Sequence, residues 1–329
     1  MTYKLLLVHD VEVQLPDGTV LRWAYSNRTH ALKKYAPECW HVDRVHNDGL
    51  HLIDVNEYDL VFMLDYMAMS YQGNLRNRRD GCILVTSFNK DSRSRQNYWN
   101  KMPGIADWVI VNNYNRWHCN GHPKANTCNI SNGIDTQQWY NTIPIEQRDH
   151  IVGWCGSTGK RKGKRYESVL KPLQARLEQE GFQCSFRPIN SITPDVVYPP
   201  DKQREWYNQC SYLICASESE GTPSFLLEGA ACGCVPITTD CGNAREWINH
   251  EVNGMLIRPD INEIVRKRKF VRENRELMSN NVEEKMQGWA YGSPGNRAEW
   301  FYTLFQRLIE DGPHSVKPFS WMNSSVAEI

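Results

Sequence analysis

Short apolar runs alternate with amphipathic or charged stretches, in two successive rounds, and this pattern constrains the chain more than any other feature. "YKLLLVHD" (3–10), "YDLVFMLDY" (58–66), "GCILVTSF" (81–88) and "ADWVIVNN" (106–113) carry little internal alternation and end in polar or turn residues. Runs of this kind mark strands whose sheet is covered by helices on both faces. Between the first run and Trp40, "LRWAYSNRTHALKKYAPE" reads as a helix closed by Pro37. The pattern restarts after residue 150. "HIVGWCGS", "QCSFRPI", "YLICAS" and "VPITT" read as strands, and "ESVLKPLQARLEQEG" and "KQREWYNQC" as the helices between them. Two rounds of strand and helix predict an α/β protein with two Rossmann-like domains, each built on a parallel sheet. A length of 329 residues agrees with two domains of roughly 100 to 200 residues.

The expected boundaries are an N-terminal, acceptor-side Rossmann-like domain over 1–140 and a linker at 141–149, "NTIPIEQRD". A C-terminal Rossmann-like domain follows over 150–294, then a helix over 295–311 that crosses back to the first domain, and a loosely held tail over 312–329.

Composition narrows the function classes. Hydrophobic residues at 40% and charged residues at 23% describe a chain that can build cores. The 38 basic and 38 acidic residues cancel, so attraction to a polyanion has to come from local segregation of charge. No run approaches the roughly 18 apolar residues of a membrane span, and the apolar start is too short for a signal peptide. A cytoplasmic protein is expected, with peripheral membrane contact left open. The 11 cysteines are scattered without a C-x2-C pair and read as small buried hydrophobes. His118, Cys119, His122 and Cys128 fit no common zinc spacing and read as part of a polar loop.

The stretch "ASESEGTPSFLLEGAACGCVPITTD" (216–240) places Glu228 inside an apolar, small-residue run. A carboxylate taken out of water needs a partner. A strand runs into a short loop, Thr222 is placed to cap a helix, and Pro223 suits its first turn, so a helix begins near Ser224. The free amides and the dipole of that helix start favour an anion such as a diphosphate. Glu228, about one turn further in, is placed to accept hydrogen bonds from a diol such as ribose. Glu220, before the helix, faces another part of the same ligand.

"ESEGTPSFLLEGAACGCVPITTDCGNAREWINHEVNGMLIRPD" resembles the donor-binding segment of glycosyltransferase family 4, and "NISNGIDTQQW" (129–139) resembles the turn that ends the family's N-terminal domain. The likeness is strong over 129–260. It implies a retaining enzyme of the GT-B fold, two Rossmann-like domains facing a central cleft, with a nucleotide sugar (UDP-, GDP- or ADP-linked) as donor and no other cofactor. By the resemblance Glu228 binds the ribose hydroxyls and Glu220 contacts the donor sugar. The amides near Gly221, Thr222, Ser224 and Phe225 hold sugar hydroxyls and diphosphate. In "GSTGKRKGKRYE" (156–167), Lys162 matches the family's diphosphate lysine; Ser157 stands where the family has an arginine, and Arg161 is assigned that role. Glu246 matches a further family position and reads equally as a carboxylate in a first helical turn. Gly18, in "LPDGTV", is the expected close-approach position beside the donor phosphates. The family's acceptor-side histidine is missing from "VTSFNKD", which leaves Asn89 or Asp91 for that task. The chain contains no D-x-D motif, and a metal-free donor site is expected. Two other functions share the fold: a nucleotide-sugar 2-epimerase, and a protein that binds the nucleotide sugar without turnover.

Charge counting bears on the acceptor. Residues 35–65 hold seven acidic residues and one basic one, Arg44, whereas 66–134 hold nine Lys or Arg and three Asp. Arg76, Arg78 and Arg79 follow the apolar run that contains Phe62, Arg93 and Arg95 follow the next, and Tyr98, Trp99 and Trp117 are interleaved with them. If both loops lie on the carboxyl edge of the sheet, they suit an anionic acceptor: a polyanionic glycan, a phospholipid head group, or DNA with a hydroxymethylated base.

Overall fold

The computed structural model describes residues 2–10, 12–22, 24–64, 73–88, 105–114, 126–158, 162–189 and 198–329. The chain divides into two compact units, one of residues 1–14, 22–133 and 291–329, the other of residues 15–21 and 134–290. Each carries a parallel sheet, so the α/β architecture expected from the apolar runs is what the chain adopts.

In the first unit the strands are β1 (Tyr3–His9), β4 (Trp40–His46), β5 (Leu60–Met63), β6 (Ile83–Phe88), β7 (Trp108–Val111), β8 (Thr127–Asn129) and β14 (Phe319–Ser320), in the order β14-β8-β7-β6-β5-β1-β4. Every pairing is parallel. Alternate residues of β1 point to opposite faces. Leu5 and Leu7 join a core with Phe62, Phe301 and Phe305, while Leu6 and Val8 join another with Leu50, Leu75 and Val109. Both faces are covered, which is why the run reads as continuously apolar. The helix Arg297–Glu310 supplies Phe301, Tyr302, Leu304 and Phe305 to the first of these cores.

The tail is not loose. Phe319 and Ser320 pair with Cys128 and Asn129, and Val316, Phe319 and Ile329 are buried in the same core as the helix. A two-residue edge strand has no pattern of its own, and its partner supplies the order. The short strands β2 (Glu12–Gln14) and β3 (Val20–Arg22) form a separate small sheet.

The second unit contains β9 (Ile151–Ser157), β10 (Cys184–Ile189), β11 (Cys210–Cys215), β12 (Val235–Thr239) and β13 (Met255–Ile257) in the order β10-β9-β11-β12-β13, again all parallel. Numbered within the unit this is 2-1-3-4-5, a doubly wound order whose direction reverses between β9 and β11. Val152, Trp154, Tyr212, Ile214 and Ile237 form one core with Leu173, Leu177 and Ile264. On the other face a Cβ at Gly153 would meet Cys210 Sγ at 2.7 Å, and one at Gly229 would overlap Leu213. The glycines let the helices Pro200–Gln209 and Ser224–Ala231 lie close against β9 and β11.

Residues 141–149, expected as a linker, lie inside this unit. Arg148 is 5% exposed and donates to the carbonyls of Ile143 (2.6 Å) and Cys210 (2.9 Å) and to Asn141 Oδ1 (2.6 Å). The grouping changes at Gly133 and Ile134 instead.

Candidate functional site

In an open parallel sheet, the carboxyl ends of the strands at the reversal point are where loops separate and a ligand can enter. In the second unit these are the ends of β9 and β11. The loop after β9 closes with a turn at Lys162–Lys164 and with Arg165, whose φ of 52° is left-handed. Bonds to the backbone tie this loop to the one after β11: Glu218 N donates to Gly163 O at 2.7 Å, and Arg165 Nη1 to Ala216 O at 3.2 Å.

At this junction Lys164 Nζ donates to Glu220 Oε1, with the two side chains 23% and 12% exposed. Burial pulls the pKa of the Lys164 ammonium down, the Glu220 carboxylate pulls it up, and the net is above the ordinary value. The loop after β12 supports the pair from beside. Gly242 has φ +58°, and a Cβ there would meet Gly221 O at 2.5 Å and Glu220 Cβ at 3.1 Å. Only glycine fits such an approach. Thr239 Oγ1 donates to Ser217 O at 2.5 Å, fixing the base of the same loop.

The helix after this loop starts at Ser224, as expected, but its cap differs. Pro223 occupies the N-cap position and makes no side-chain cap bond. Pro223 O accepts from Leu226 N at 2.9 Å. A proline at that position has no hydroxyl to offer the leading amides, and Thr222 stands one residue before it. Ser224 and Phe225, the first residues of the helix, are partly exposed.

One turn in, Glu228 is half-buried. Its partner is neutral: Tyr207 Oη donates to Glu228 Oε2 at 2.8 Å. Loss of water pushes the Glu228 carboxyl up to about 7, with the tyrosine bond pulling the other way. Desolvation, with the Glu228 charge beside it, raises the Tyr207 phenol well above its ordinary value, so it remains a donor.

The remaining site expectations fall out unevenly. Arg161, Asn89, Asp91 and the side chain of Lys162 lie outside the described residues, as do Arg93, Arg95, Tyr98, Trp99, Trp117, His118, Cys119 and His122. Cys128 is buried in β8 and accepts from Trp108 Nε1 at 3.3 Å. Gly18 sits in the turn Leu15–Thr19 with φ +84° and nothing within 4 Å of an added Cβ. Its glycine requirement is conformational rather than one of crowding. Glu246 lies in the short helix Ala244–Trp247. Among the described residues no group of three or more His, Cys, Asp or Glu is placed to hold a metal, and no helix is long and apolar enough to cross a membrane.

Arg78 requires a correction, because it is not on the carboxyl edge. Arg78 Nη2 pairs with Asp107 Oδ2 at 2.7 Å, and that carboxylate also accepts from Leu84 N, which places the pair at the amino-terminal ends of β6 and β7. Arg78 donates further to Cys82 O and Leu75 O. Arg76 ends the short helix Gly73–Arg76. Arg79 lies 3.7 Å from Asp59, so the segregation seen along the sequence is partly undone by pairing in space.

Sequence reasoning missed Tyr207 and left Lys164 unassigned. The sequence places Tyr207 on the helix "KQREWYNQC", four residues after Gln203, but carries no signal that its hydroxyl meets Glu228.

Residues 155–273 match the family model described as glycosyl transferases group 1, which bears out the likeness read from the sequence. Among solved structures, sucrose-phosphate synthase from Thermosynechococcus elongatus superposes with a TM-score of 0.68 at 13% identity, covering 94% of this chain and 100% of that one. Anabaena Alr3699/HepE in complex with UDP and glucose gives 0.64 at 15% identity, covering 93% and 100%. A Staphylococcus aureus TarM variant in complex with Fondaparinux, alpha-GlcNAc-glycerol and UDP gives 0.62 at 13%, covering 88% of this chain and 60% of that one. No curated protein sequence matches. At these identities the likeness shows the fold, that of the GT-B glycosyltransferases.

Proposed function

We propose that the chain transfers a glycosyl group from a nucleoside diphosphate sugar to an acceptor hydroxyl, with retention of anomeric configuration and without a metal. The observation that carries this reading is one constellation at the reversal point of the second sheet. The Lys164–Glu220 pair stands at the junction of the loops after β9 and β11, and Glu228 stands one turn into a helix whose N-cap residue is Pro223. The match of residues 155–273 to group 1 glycosyltransferases and the UDP held by HepE support the same donor chemistry.

Each group has a chemical task. The leading amides of the helix, near Ser224 and Phe225, favour the diphosphate. Lys164 supplies a cation for the charge that builds as the nucleoside diphosphate departs, alongside Lys162 and Arg161 on the same loop. Glu220, fixed by Lys164 and by Gly242, contacts the donor sugar, and Glu228 accepts from the ribose hydroxyls. The second unit is thus the donor domain and the first the acceptor domain. Of the cations that pointed to an anionic acceptor, Arg78 and Arg79 stand against Asp107 and Asp59, and the acceptor is taken here at the level of a hydroxyl.

The test is a thermal-shift series with UDP-, GDP- and ADP-glucose on wild type and Glu228→Ala, followed by single-turnover transfer in excess EDTA. One nucleotide sugar should raise Tm in wild type and not in the variant. A wild-type chain that responds to none of the three contradicts the reading. Isomerised sugar in an acceptor-free incubation would instead identify an epimerase.

A further inference from the structure

We propose that Tyr207 is a positioning residue of the nucleotide site: its phenol holds one oxygen of Glu228 and leaves the other turned to the ribose hydroxyls, with Gln203 and Arg187 holding the phenol in turn. The inference rests on the donor reading of Glu228 given above.

The geometry singles out this role. Glu228 Oε2 is taken by Tyr207 Oη at 2.8 Å, whereas Oε1 has no protein partner among the described residues. A carboxylate held at one oxygen and open at the other is oriented for a ligand. A lysine in the place of Tyr207 would neutralise the charge and compete for both oxygens. A phenol donates one hydrogen and adds no counter-charge, so the carboxylate keeps its capacity to accept.

Tyr207 is itself fixed. It is fully buried, its ring meets Trp139 edge-on at 5.8 Å between centroids, and Trp206 packs at 5.1 Å. Gln203, one helical turn earlier, stands beside the phenol and lowers its pKa. Gln203 Oε1 accepts from Arg187 Nη1 at 2.6 Å, and the Arg187 guanidinium lies 3.3 Å over the Tyr198 ring. Arg187 stands opposite Cys155 in the β9–β10 register, and Gln203 Nε2 lies 3.7 Å from Cys155 Sγ. A chain of side chains therefore runs from β10 through the helix Pro200–Gln209 to the carboxylate.

The consequence is a dependence on pH that a packing role would not produce. The Tyr207 bond favours the ionised form of Glu228, and a ribose diol donates to a carboxylate better than to a neutral acid. Tyr207→Phe keeps the ring and the core but removes the donor. Affinity for the nucleotide sugar should fall about tenfold near pH 7. The ratio of variant to wild-type Kd should widen below that pH and narrow toward pH 9, as Glu228 of the variant ionises later.

The experiment measures Kd for UDP-glucose, GDP-glucose and ADP-glucose by calorimetry between pH 6 and 9, on wild type, Tyr207→Phe, Gln203→Leu and Glu228→Ala. Support is a pH-dependent ratio for Tyr207→Phe, a smaller one of the same sign for Gln203→Leu, and loss of binding in Glu228→Ala. A ratio for Tyr207→Phe that is unity or constant with pH, while Glu228→Ala loses binding, overturns the role of Tyr207 and spares the donor reading. Normal binding by Glu228→Ala, or no binding by wild type, overturns both.

Discussion

Glu220 sits beyond β11 with the Lys164 ammonium against it, whereas Glu228, on the helix that follows, has only the Tyr207 phenol among the described residues. The first carboxylate is compensated by charge and held by backbone that approaches within van der Waals limits at Gly242. The second is compensated by one neutral hydrogen bond, and its carboxyl is pushed up to about 7. An ion pair fixes a group whatever arrives, while a half-satisfied carboxylate stores a cost that a ligand can relieve. The first arrangement suits a contact to the reacting sugar and the second a contact that contributes binding.

The largest effect expected is at the ion pair. Lys164→Met leaves Glu220 nearly buried without its cation and removes charge from the candidate diphosphate site, so single-turnover transfer should fall on the order of 10²- to 10³-fold, as when one transition-state donor is lost. Unchanged turnover would show that Lys164 only holds the loop.

Next comes the cost stored at Glu228. The folded carboxyl pKa lies above the unfolded value, so between about pH 4.5 and 7 the unfolded chain ionises first and burial becomes progressively more costly. The cost is absent below that window and complete above it. Glu228→Gln removes it, and should stabilise the ligand-free protein at pH 8 by up to about 3 kcal/mol while changing little at pH 4.5. Denaturant titrations at the two pH values check this, and equal stability at both would mean that the carboxylate is better solvated than the geometry implies.

Gly242→Ala should be smaller. A left-handed residue with a Cβ costs about 1–2 kcal/mol, and the crowding against Gly221 O displaces Glu220. Turnover should drop more than Tm, and donor affinity should barely change. The smallest effect is expected outside the site. Arg78→Ala should destabilise the first unit by about 1–2 kcal/mol through the loss of the Asp107 pair, and leave donor affinity unaltered.

What could be read from the sequence follows from how each element obtains its order. β1, β5, β6 and β7 are apolar on both faces and announced themselves, as did "VPITT". β4, "WHVDRVH", did not, because an edge strand has one neighbour and its outer residues stay polar. β14 is legible only beside β8. In the site, the helix start and both glutamates were visible as types in a pattern. That Lys164 meets Glu220 was not, since a loop has no period to fix which side chain turns inward. Tyr207 was hidden by chemistry, because a tyrosine on an amphipathic helix looks the same whether its hydroxyl meets water or a carboxylate.

The central claim is that the two glutamates divide binding from turnover. It is tested most directly by measuring donor Kd and single-turnover rate in parallel for Glu220→Ala and Glu228→Ala, with the nucleotide sugar that stabilises wild type. The account predicts that Glu228→Ala weakens binding about a hundredfold, as for two lost bonds to a charged acceptor, while Glu220→Ala binds within a few-fold of wild type and loses its rate. Equal losses of affinity in both variants, or a normal rate in Glu220→Ala, would contradict it.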